Sequence, residues 1–182
     1  MKNYKKNLEL LIKNHVYSKE MEHDACGVGL IASTEGKKSR TVVEYGIEAL
    51  KAVWHRGAVD ADGKTGDGAG IHVEIPKDFF IEKIQVTGHN YDNSEICVGM
   101  IFLPRNDYSA QENCKTIVES ELTKNNFSIY GWRQVPVNPK ILGEKALQTM
   151  PEIIQVLFKS NDPNLLDKNL ERKIYEIRKR IE

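Results

Sequence analysis

Residues 26–33 read Cys-Gly-Val-Gly-Leu-Ile-Ala-Ser, a short apolar run that starts at a cysteine and ends at the turn signal Thr34-Glu35-Gly36. A run of this length and composition is typical of a buried strand. Residues 1–25 before it are rich in Lys, Asn and Glu and carry only a weak apolar patch, so they predict a short helix or a loose leader. We therefore expect the folded domain to begin at Cys26 and to extend over residues 26–182.

After this run, helical and strand patterns follow one another along the chain. Apolar side chains at steps of four, three and four predict an amphipathic helix over 41–55, which Ser39 or Thr41 would cap. Its inward positions are Val43, Ile47, Leu50 and Trp54. Further strands are predicted at 71–75, 96–103, 127–134 and 153–158, and further helices at 109–124 and 170–181. This order of elements indicates an α+β layered domain.

The amino-acid composition and the charge pattern exclude some classes of function. Lys plus Arg and Asp plus Glu are balanced at 26 each, and no basic stripe with interleaved aromatic residues is present. A nucleic-acid-binding surface is therefore not indicated. The N-terminal apolar patch is too short and too charged for a signal peptide or a membrane span, which predicts a location in the cytoplasm, or in a plastid if the source is photosynthetic.

The three cysteines are too widely spaced for a disulfide framework or a zinc knuckle. Cys97 lies in a predicted strand, and Cys114 lies on the apolar face of a predicted helix with Ile117 and Val118. Both are expected to be inert core residues. Taken alone, Cys26 is also more readily explained as a small buried side chain than as a nucleophile, because free cysteines are among the most buried residues.

The segment 56–70 contains five glycines and three aspartates and is predicted to be a loop. Two familiar ligand-binding motifs are incomplete in this segment, because each lacks a required residue. A calcium loop counted from Asp60 needs a carboxylate at its twelfth position, where Ile71 stands. A phosphate-binding loop ending at Gly63-Lys64-Thr65 needs an earlier glycine at a position occupied by Ala58.

Longer blocks around Cys26 and this loop carry a family resemblance. They are His23-Asp24-Ala25-Cys26-Gly27-Val28-Gly29-Leu30, His55-Arg56-Gly57-Ala58, Thr65-Gly66-Asp67-Gly68-Ala69-Gly70, Leu142-Gly143-Glu144-Lys145-Ala146, Met150-Pro151 and Glu171-Arg172-Lys173. Together they resemble the glutaminase domain of the glutamate synthase family, which consists of class II amidotransferases within the N-terminal-nucleophile hydrolase superfamily. The resemblance covers nearly the whole chain after Ala25.

The resemblance implies a fold, a substrate and a nucleophile. The fold would be the four-layer αββα type of N-terminal-nucleophile hydrolases, here incomplete. Residues 1–25 would be a propeptide, and Cys26 would attack the side-chain amide of glutamine to release ammonia through a thioester. The chemistry agrees, because a free α-amino group has a pKa of about 7.7–8.0, close to the thiol value of about 8.5, whereas an amide nitrogen is no base.

Three further site residues come with the resemblance. By its position alone, Arg56 is a solvated charge at a helix C-terminus, which is favourable beside the helix dipole. In related amidotransferases the arginine of this block lies near the nucleophile and the glutamine site, so Arg56 becomes a candidate for binding substrate. Asp67 and Gly68 either line the same pocket or form a turn. Gly27 and Gly29 either leave room beside the nucleophile or allow close strand packing.

The resemblance also implies parts of a larger protein. A separate barrel domain with FMN and an iron–sulfur cluster would add the ammonia to 2-oxoglutarate, with a small subunit or ferredoxin as partner. The oxyanion hole of the family comes from an Asn-Gly block, and this chain has no Asn-Gly pair, so we expect it beyond Glu182. Without such donors, each typically worth about 2.7–4 kcal/mol, the segment alone would be inactive. The alternatives are an amidotransferase domain of another synthase, or a truncated, non-catalytic binding or assembly module.

Overall fold

The computed structural model describes residues 6, 9–10, 12–13, 27–53, 59–66 and 68–182, and the structural statements below concern these residues. The chain divides into two compact units. The first comprises Met1–Ala58 and Gly66–Ile71, and the second comprises Val59–Thr65 and His72–Glu182.

The first unit contains helix α1, Arg40–Ala52. The Ser39 hydroxyl accepts a hydrogen bond from the Thr41 backbone N–H at 3.2 Å, an N-cap typically worth about 1 kcal/mol. The helix and its cap are therefore confirmed, although Trp54 and His55 lie outside the described residues. Of its predicted inward side chains, Val43, Ile47 and Leu50 are half-buried, and none of the residues of α1 is fully buried.

The strands predicted at 26–33 and 71–75 were wrong for the residues that can be checked. Residues 27–33 and 71–75 have no regular secondary structure, and Val28 and Leu30 are 95% and 88% exposed. A strand needs a partner strand in a backbone ladder, and the sheet of the described residues includes neither segment. The apolar pattern thus predicts a segment that can be buried, but it does not show which strand would pair with that segment.

The second unit is built on a three-stranded antiparallel sheet. Its strands are β1, Cys97–Leu103, β2, Phe127–Gln134, and β3, Glu152–Ser160. Their spatial order is β1-β3-β2, so the last strand in sequence is the central one. Val156 of β3 lies opposite Gly99 on one side and Trp132 on the other. The strands predicted at 96–103, 127–134 and 153–158 are confirmed.

Four α-helices and a short 3-10 helix accompany the sheet among the described residues. They are α2, Lys77–Val86, α3, Tyr108–Lys124, the 3-10 helix Pro139–Ile141, α4, Glu144–Thr149, and α5, Asp167–Ile181; α1 belongs to the first unit. Helices α3 and α5 match the predictions. Helix α2 was not predicted because it buries only Phe80 and Ile84, and α4 was not predicted because it is too short for a periodic pattern. No helix in the described ranges has the length and apolar character needed to cross a bilayer.

Helices α3 and α5 cover one face of the sheet. Buried residues there include Cys97, Val156, Phe158, Val118, Leu122, Leu170 and Ile177. Cys97 is 5% exposed, so its predicted place in the core is confirmed, and burial, with the Glu95 and Glu171 carboxylates nearby, raises the pKa of its thiol to about 12. The same prediction for Cys114 was wrong in part, because Cys114 is only half-buried and Ile117 beside it is 48% exposed.

The opposite face of the sheet is covered over part of its length. Helix α2 contributes Phe80 and Ile84 to a second cluster with Leu157 of β3, and Leu157 and Ile84 are completely buried. Side chains alternate between faces along a strand, so Val98, Met100 and Phe102 of β1 share this face. Val98 packs against the cluster, whereas Met100 and Phe102 remain 49% and 64% exposed.

Candidate functional site

The structure describes one of the four site residues predicted from sequence. Cys26, Arg56 and Asp67 lie outside the described residues. Gly68 is exposed and has a φ of +88°, a left-handed conformation that glycine adopts without strain. A methyl group added at Gly68 would meet no other atom within 4 Å, so its conformation, and not crowding, favours glycine. Gly29 also has open space around it, which does not support the close-packing interpretation of that residue.

Between Arg56 and Asp67 in sequence lies a turn that the structure describes completely, residues Asp60–Thr65. The Asp60 backbone N–H donates to the Thr65 carbonyl at 2.8 Å, and the Gly63 N–H donates to the Asp60 carbonyl at 2.9 Å. These two bonds close the segment on itself. We call it the Asp60–Thr65 turn.

The Asp62 carboxylate organises the inside of this turn. Its Oδ1 accepts from the backbone N–H groups of Lys64 at 2.9 Å and Thr65 at 2.7 Å, and its Oδ2 accepts from the Thr65 hydroxyl at 2.5 Å. A carboxylate with several donors is stabilised in its charged form, so these bonds hold the pKa of Asp62 well below its usual range. The turn therefore contains a permanent negative charge at neutral pH.

Helix α4 contacts the same turn through its first residues. Lys145 Nζ lies 2.5 Å from Asp60 Oδ2, and the Glu144 backbone N–H is a further donor to Asp62. The hydrogen bond with Lys145 lowers the pKa of Asp60, and the same bond raises the pKa of Lys145, so both groups stay charged. This contact joins positions 85 residues apart in the chain.

Gly143, just before α4, lies against the turn without room for a side chain. A methyl group there would collide with the Thr65 hydroxyl and the Asp62 carboxylate, and would lie 2.5 Å from the Thr65 backbone nitrogen. In the sequence, the block Leu142–Ala146 belongs only to the family resemblance, and no spacing within it indicates a contact with the Asp60–Thr65 turn.

A second polar cluster stands in the second unit, beside an open groove of about 670 Å³. Asp92 accepts from the Tyr130 hydroxyl at 3.0 Å and pairs with Lys159. The pairing with Lys159 lowers the pKa of Asp92, whereas burial raises the pKa of Tyr130. The Asp92 carboxylate, the Tyr130 hydroxyl and the Lys159 ammonium group are thus hydrogen-bonded to one another. The described residues contain no group of three or more His, Cys, Asp or Glu side chains that could hold a metal ion.

Comparison with known families identifies the family of this chain. The family model for "Glutamine amidotransferases class-II" matches residues 26–182, beginning at Cys26. The chain belongs to the class-II glutamine amidotransferases. The resemblance inferred from the sequence blocks is thereby confirmed, and the mixed α and β architecture agrees with this family.

Individual relatives of this class-II amidotransferase chain are glutamate synthases. It is 54% identical over 98% of its length to "Glutamate synthase [NADPH] large chain" of Azospirillum brasilense, and covers 12% of that protein. It is 41% identical over 88% of its length to "Ferredoxin-dependent glutamate synthase 1, chloroplastic/mitochondrial" of Arabidopsis thaliana, covering 10%. It is 39% identical over 90% of its length to the ferredoxin-dependent enzyme of Pyropia yezoensis, also covering 10%. The chain thus spans about a tenth of the length of these relatives.

Proposed function

We propose that this chain is the N-terminal part of the glutaminase domain of a glutamate synthase. The observation that carries the proposal is the family match that starts at a cysteine, together with relatives that are glutamate synthases. The reaction of the domain is glutamine plus water giving glutamate plus ammonia. The proposed nucleophile is Cys26, after residues 1–25 have been removed.

The first step needs a thiolate and a base. The α-amino group of Cys26 takes the proton of its own thiol, and the sulfur attacks the side-chain amide carbon of glutamine. The tetrahedral intermediate then collapses with cleavage of the carbon–nitrogen bond, and ammonia leaves with the transferred proton. Water hydrolyses the resulting thioester, releasing glutamate and restoring the thiol. While Ala25 is attached, the nitrogen of Cys26 is an amide and cannot take this proton.

Arg56 is proposed to hold the glutamine substrate, with Asp67 and Gly68 in the same pocket. A guanidinium group presents paired donors that suit a carboxylate, and glutamine carries an α-carboxylate beside its α-ammonium group. An aspartate is a natural acceptor for the ammonium. The left-handed Gly68 supports a sharp local turn next to Asp67.

The complete domain is proposed to have the four-layer αββα fold. Met100 and Phe102 support this, because they leave apolar surface uncovered on the face of β1 opposite α3 and α5. A second sheet packed on this face would remove that surface from water. A structure of the full-length protein with both side chains still exposed would contradict the four-layer arrangement.

For the full-length protein, we propose that the released ammonia is used for reductive amination of 2-oxoglutarate. FMN and an iron–sulfur cluster would supply the electrons, with a small subunit or ferredoxin as partner, in the cytoplasm or a plastid. We propose that both cofactors bind to other parts of the full-length protein. If the protein shows glutamate formation from neither glutamine nor ammonia with 2-oxoglutarate and a reductant, this assignment is wrong.

The proposed mechanism predicts removal of residues 1–25. Intact-mass analysis of the protein expressed from the full-length gene should give an N-terminus at Cys26, and the processed protein should release glutamate and ammonia from glutamine. Blocking the cleavage by Ala25→Pro should abolish this release, because the nitrogen of Cys26 then stays an amide. A fully active protein that retains Met1 would contradict the proposal.

Arg56 is predicted to serve glutamine and not the fold. Arg56→Ala should cost only a fraction of a kcal/mol in stability, about what a surface charge contributes, because the apolar positions of the preceding sequence pattern are taken by other residues, Val43, Ile47, Leu50 and Trp54. Glutamine-dependent turnover should fall by about 100-fold or more, whereas turnover with free ammonia should be largely kept, since ammonia bypasses the thioester. Equal loss with both nitrogen donors, or a large fall in melting temperature, would make Arg56 structural.

A further inference from the structure

We propose that the layer covering the open face of the sheet carries a carboxylate that pairs with Arg133. The open face is the surface around Met100, Phe102, Ile153, Gln155 and Arg133, beside the part that α2 covers. This inference rests on the four-layer fold proposed above, and it adds the chemistry of the covering segment. That segment is an apolar strand of the full-length protein with one Asp or Glu side chain opposite Arg133.

The strand register places Arg133 on this face. Arg133 of β2 lies opposite Gln155 of β3, and Gln155 lies opposite Met100 of β1. Directly opposite residues of antiparallel strands share a face, and side chains along one strand alternate between faces. Gln155 therefore shares its face with Leu157, which packs against α2. The open face is thus the continuation of the surface that α2 covers.

Two contacts hold the Arg133 guanidinium group in place. Its Nη1 donates a hydrogen bond to Gln155 Oε1 at 2.7 Å. Its Cζ lies 5.1 Å from the centre of the Phe79 ring of α2, within the range of about 6 Å for a cation–π interaction. Gln155 is only 8% exposed, so packing fixes the acceptor as well. The positive charge is therefore oriented at the border between the covered and the open part of the face.

This charge has no acidic partner within the part of the chain that the structure describes. None of the ion pairs found there includes Arg133. Of the five N–H donors of a guanidinium group, the described contacts use only the one that meets Gln155. Lys83 Nζ lies 5.0 Å from the centre of the same Phe79 ring and also has no carboxylate partner in the described ranges. Two positive charges therefore flank one aromatic ring.

The apolar neighbours of Arg133 explain why a partner is needed. Met100 and Phe102 are 49% and 64% exposed, and Ile153 is half-buried. A layer that packs on them removes apolar surface from water, and it also removes Arg133 from water. A buried charge is costly unless it is paired and hydrogen-bonded. A carboxylate suits Arg133 because its two oxygens accept paired N–H donors of a guanidinium group.

The remainder of the full-length protein is a better source of this carboxylate than a second copy of the chain. An isologous contact between two copies would place both Arg133 side chains in one interface without an acidic group on the open face. The chain covers 12% and 10% of the glutamate synthases of Azospirillum brasilense and Arabidopsis thaliana. Proteins of that length therefore have most of their chain outside the matching region, and this part can contribute a covering strand.

A structure of the full-length protein tests the pairing directly. It should show Met100 and Phe102 covered and an Asp or Glu carboxylate oxygen within about 4 Å of the Arg133 guanidinium nitrogens. A covered face without such a carboxylate would overturn the inference and leave the four-layer fold intact. So would a face on which only a small-molecule carboxylate or a second copy of the chain meets Arg133. An uncovered face would contradict the four-layer fold itself.

Substitutions in the full-length protein test the charge by hydrogen exchange in peptides from residues 152–160. Arg133→Met keeps an apolar chain but leaves the carboxylate unpaired, so exchange should be about 100-fold faster or more. Arg133→Lys keeps the charge and should stay within about tenfold of the wild type. Arg133→Glu should exchange at least about tenfold faster than Arg133→Met, because two carboxylates would then meet.

Arg105 provides the matched control, because it is an exposed arginine just after β1 whose side chain contacts the Met150 sulfur at 3.8 Å. Arg105→Met and Arg105→Glu should each stay within about threefold of the wild type. If Arg133→Glu exchanges no faster than Arg133→Met, or if Arg133→Met behaves like Arg105→Met, no carboxylate faces Arg133 and the inference is wrong. The glutaminase reaction is tested separately by Cys26→Ala, so either proposal can fail alone.

Discussion

Replacing Cys26 with alanine should reduce glutamine-dependent turnover of the full-length protein by about four orders of magnitude or more, because removing a catalytic nucleophile forfeits the covalent route. Turnover with ammonia should be kept, since that route uses no thioester. An electrophilic glutamine analogue should label Cys26 of the processed protein, and peptide mass spectrometry locates the label. The alanine variant should take up no label.

The two cysteines that the structure describes, Cys97 and Cys114, are the internal controls for this experiment. Cys97 is 5% exposed and keeps its proton, so it should not react in the folded protein. Cys114 is half-buried and lacks an α-amino group to take its proton, so it should react only slowly. Labelling chiefly at Cys97 or Cys114 would show that the assignment of the nucleophile is wrong.

Leu157→Ala should be the most damaging of the single truncations in the sheet. Leu157 is completely buried on the central strand and packs against α2, so its replacement leaves a cavity and should cost about 2–5 kcal/mol. Hydrogen exchange by mass spectrometry suits a large protein because it reports local opening. Amides in peptides from β3 should exchange about 30-fold to several thousandfold faster, since about 1.4 kcal/mol corresponds to tenfold.

Leu166→Ala is the matched control for this truncation. Leu166 is 49% exposed, so the same change in chemistry removes little buried surface and should cost less than about 1 kcal/mol. Comparable exchange rates in the two variants would mean that Leu157 is not a central core residue. The second cluster would then not be the packing unit described above.

The sequence predicted those elements whose pattern and partners both lie within the described residues. Residues 153–158 are apolar except for Gln155, and β3 contains them between two antiparallel neighbours. Residues 27–33 have an equally apolar pattern without a neighbour, and they form no strand. Helix α2 was missed for the opposite reason, because tertiary contacts at Phe80 and Ile84 stabilise a helix with little periodicity.

Of the residues discussed for the candidate site, some could be predicted from the sequence and others could not. Cys26 was singled out because several blocks of sequence resemble a family, and the family match beginning at that residue confirms the family but does not test the role. Lys145 could not be found by spacing, since an exposed lysine in a short helix has no distinctive pattern and its partner Asp60 is 85 residues away. Only the folded backbone brings the two together.

The strand order β1-β3-β2 has a consequence for synthesis on the ribosome. Cys97 pairs with Phe158 and Phe127 pairs with Ser160, so both outer strands depend on a segment translated after them. Within the part of the chain described, neither has another ladder partner. As the chain emerges, β1 and β2 therefore present open edges until residues 152–160 leave the exit tunnel. During that interval the nascent domain is exposed to edge-to-edge association.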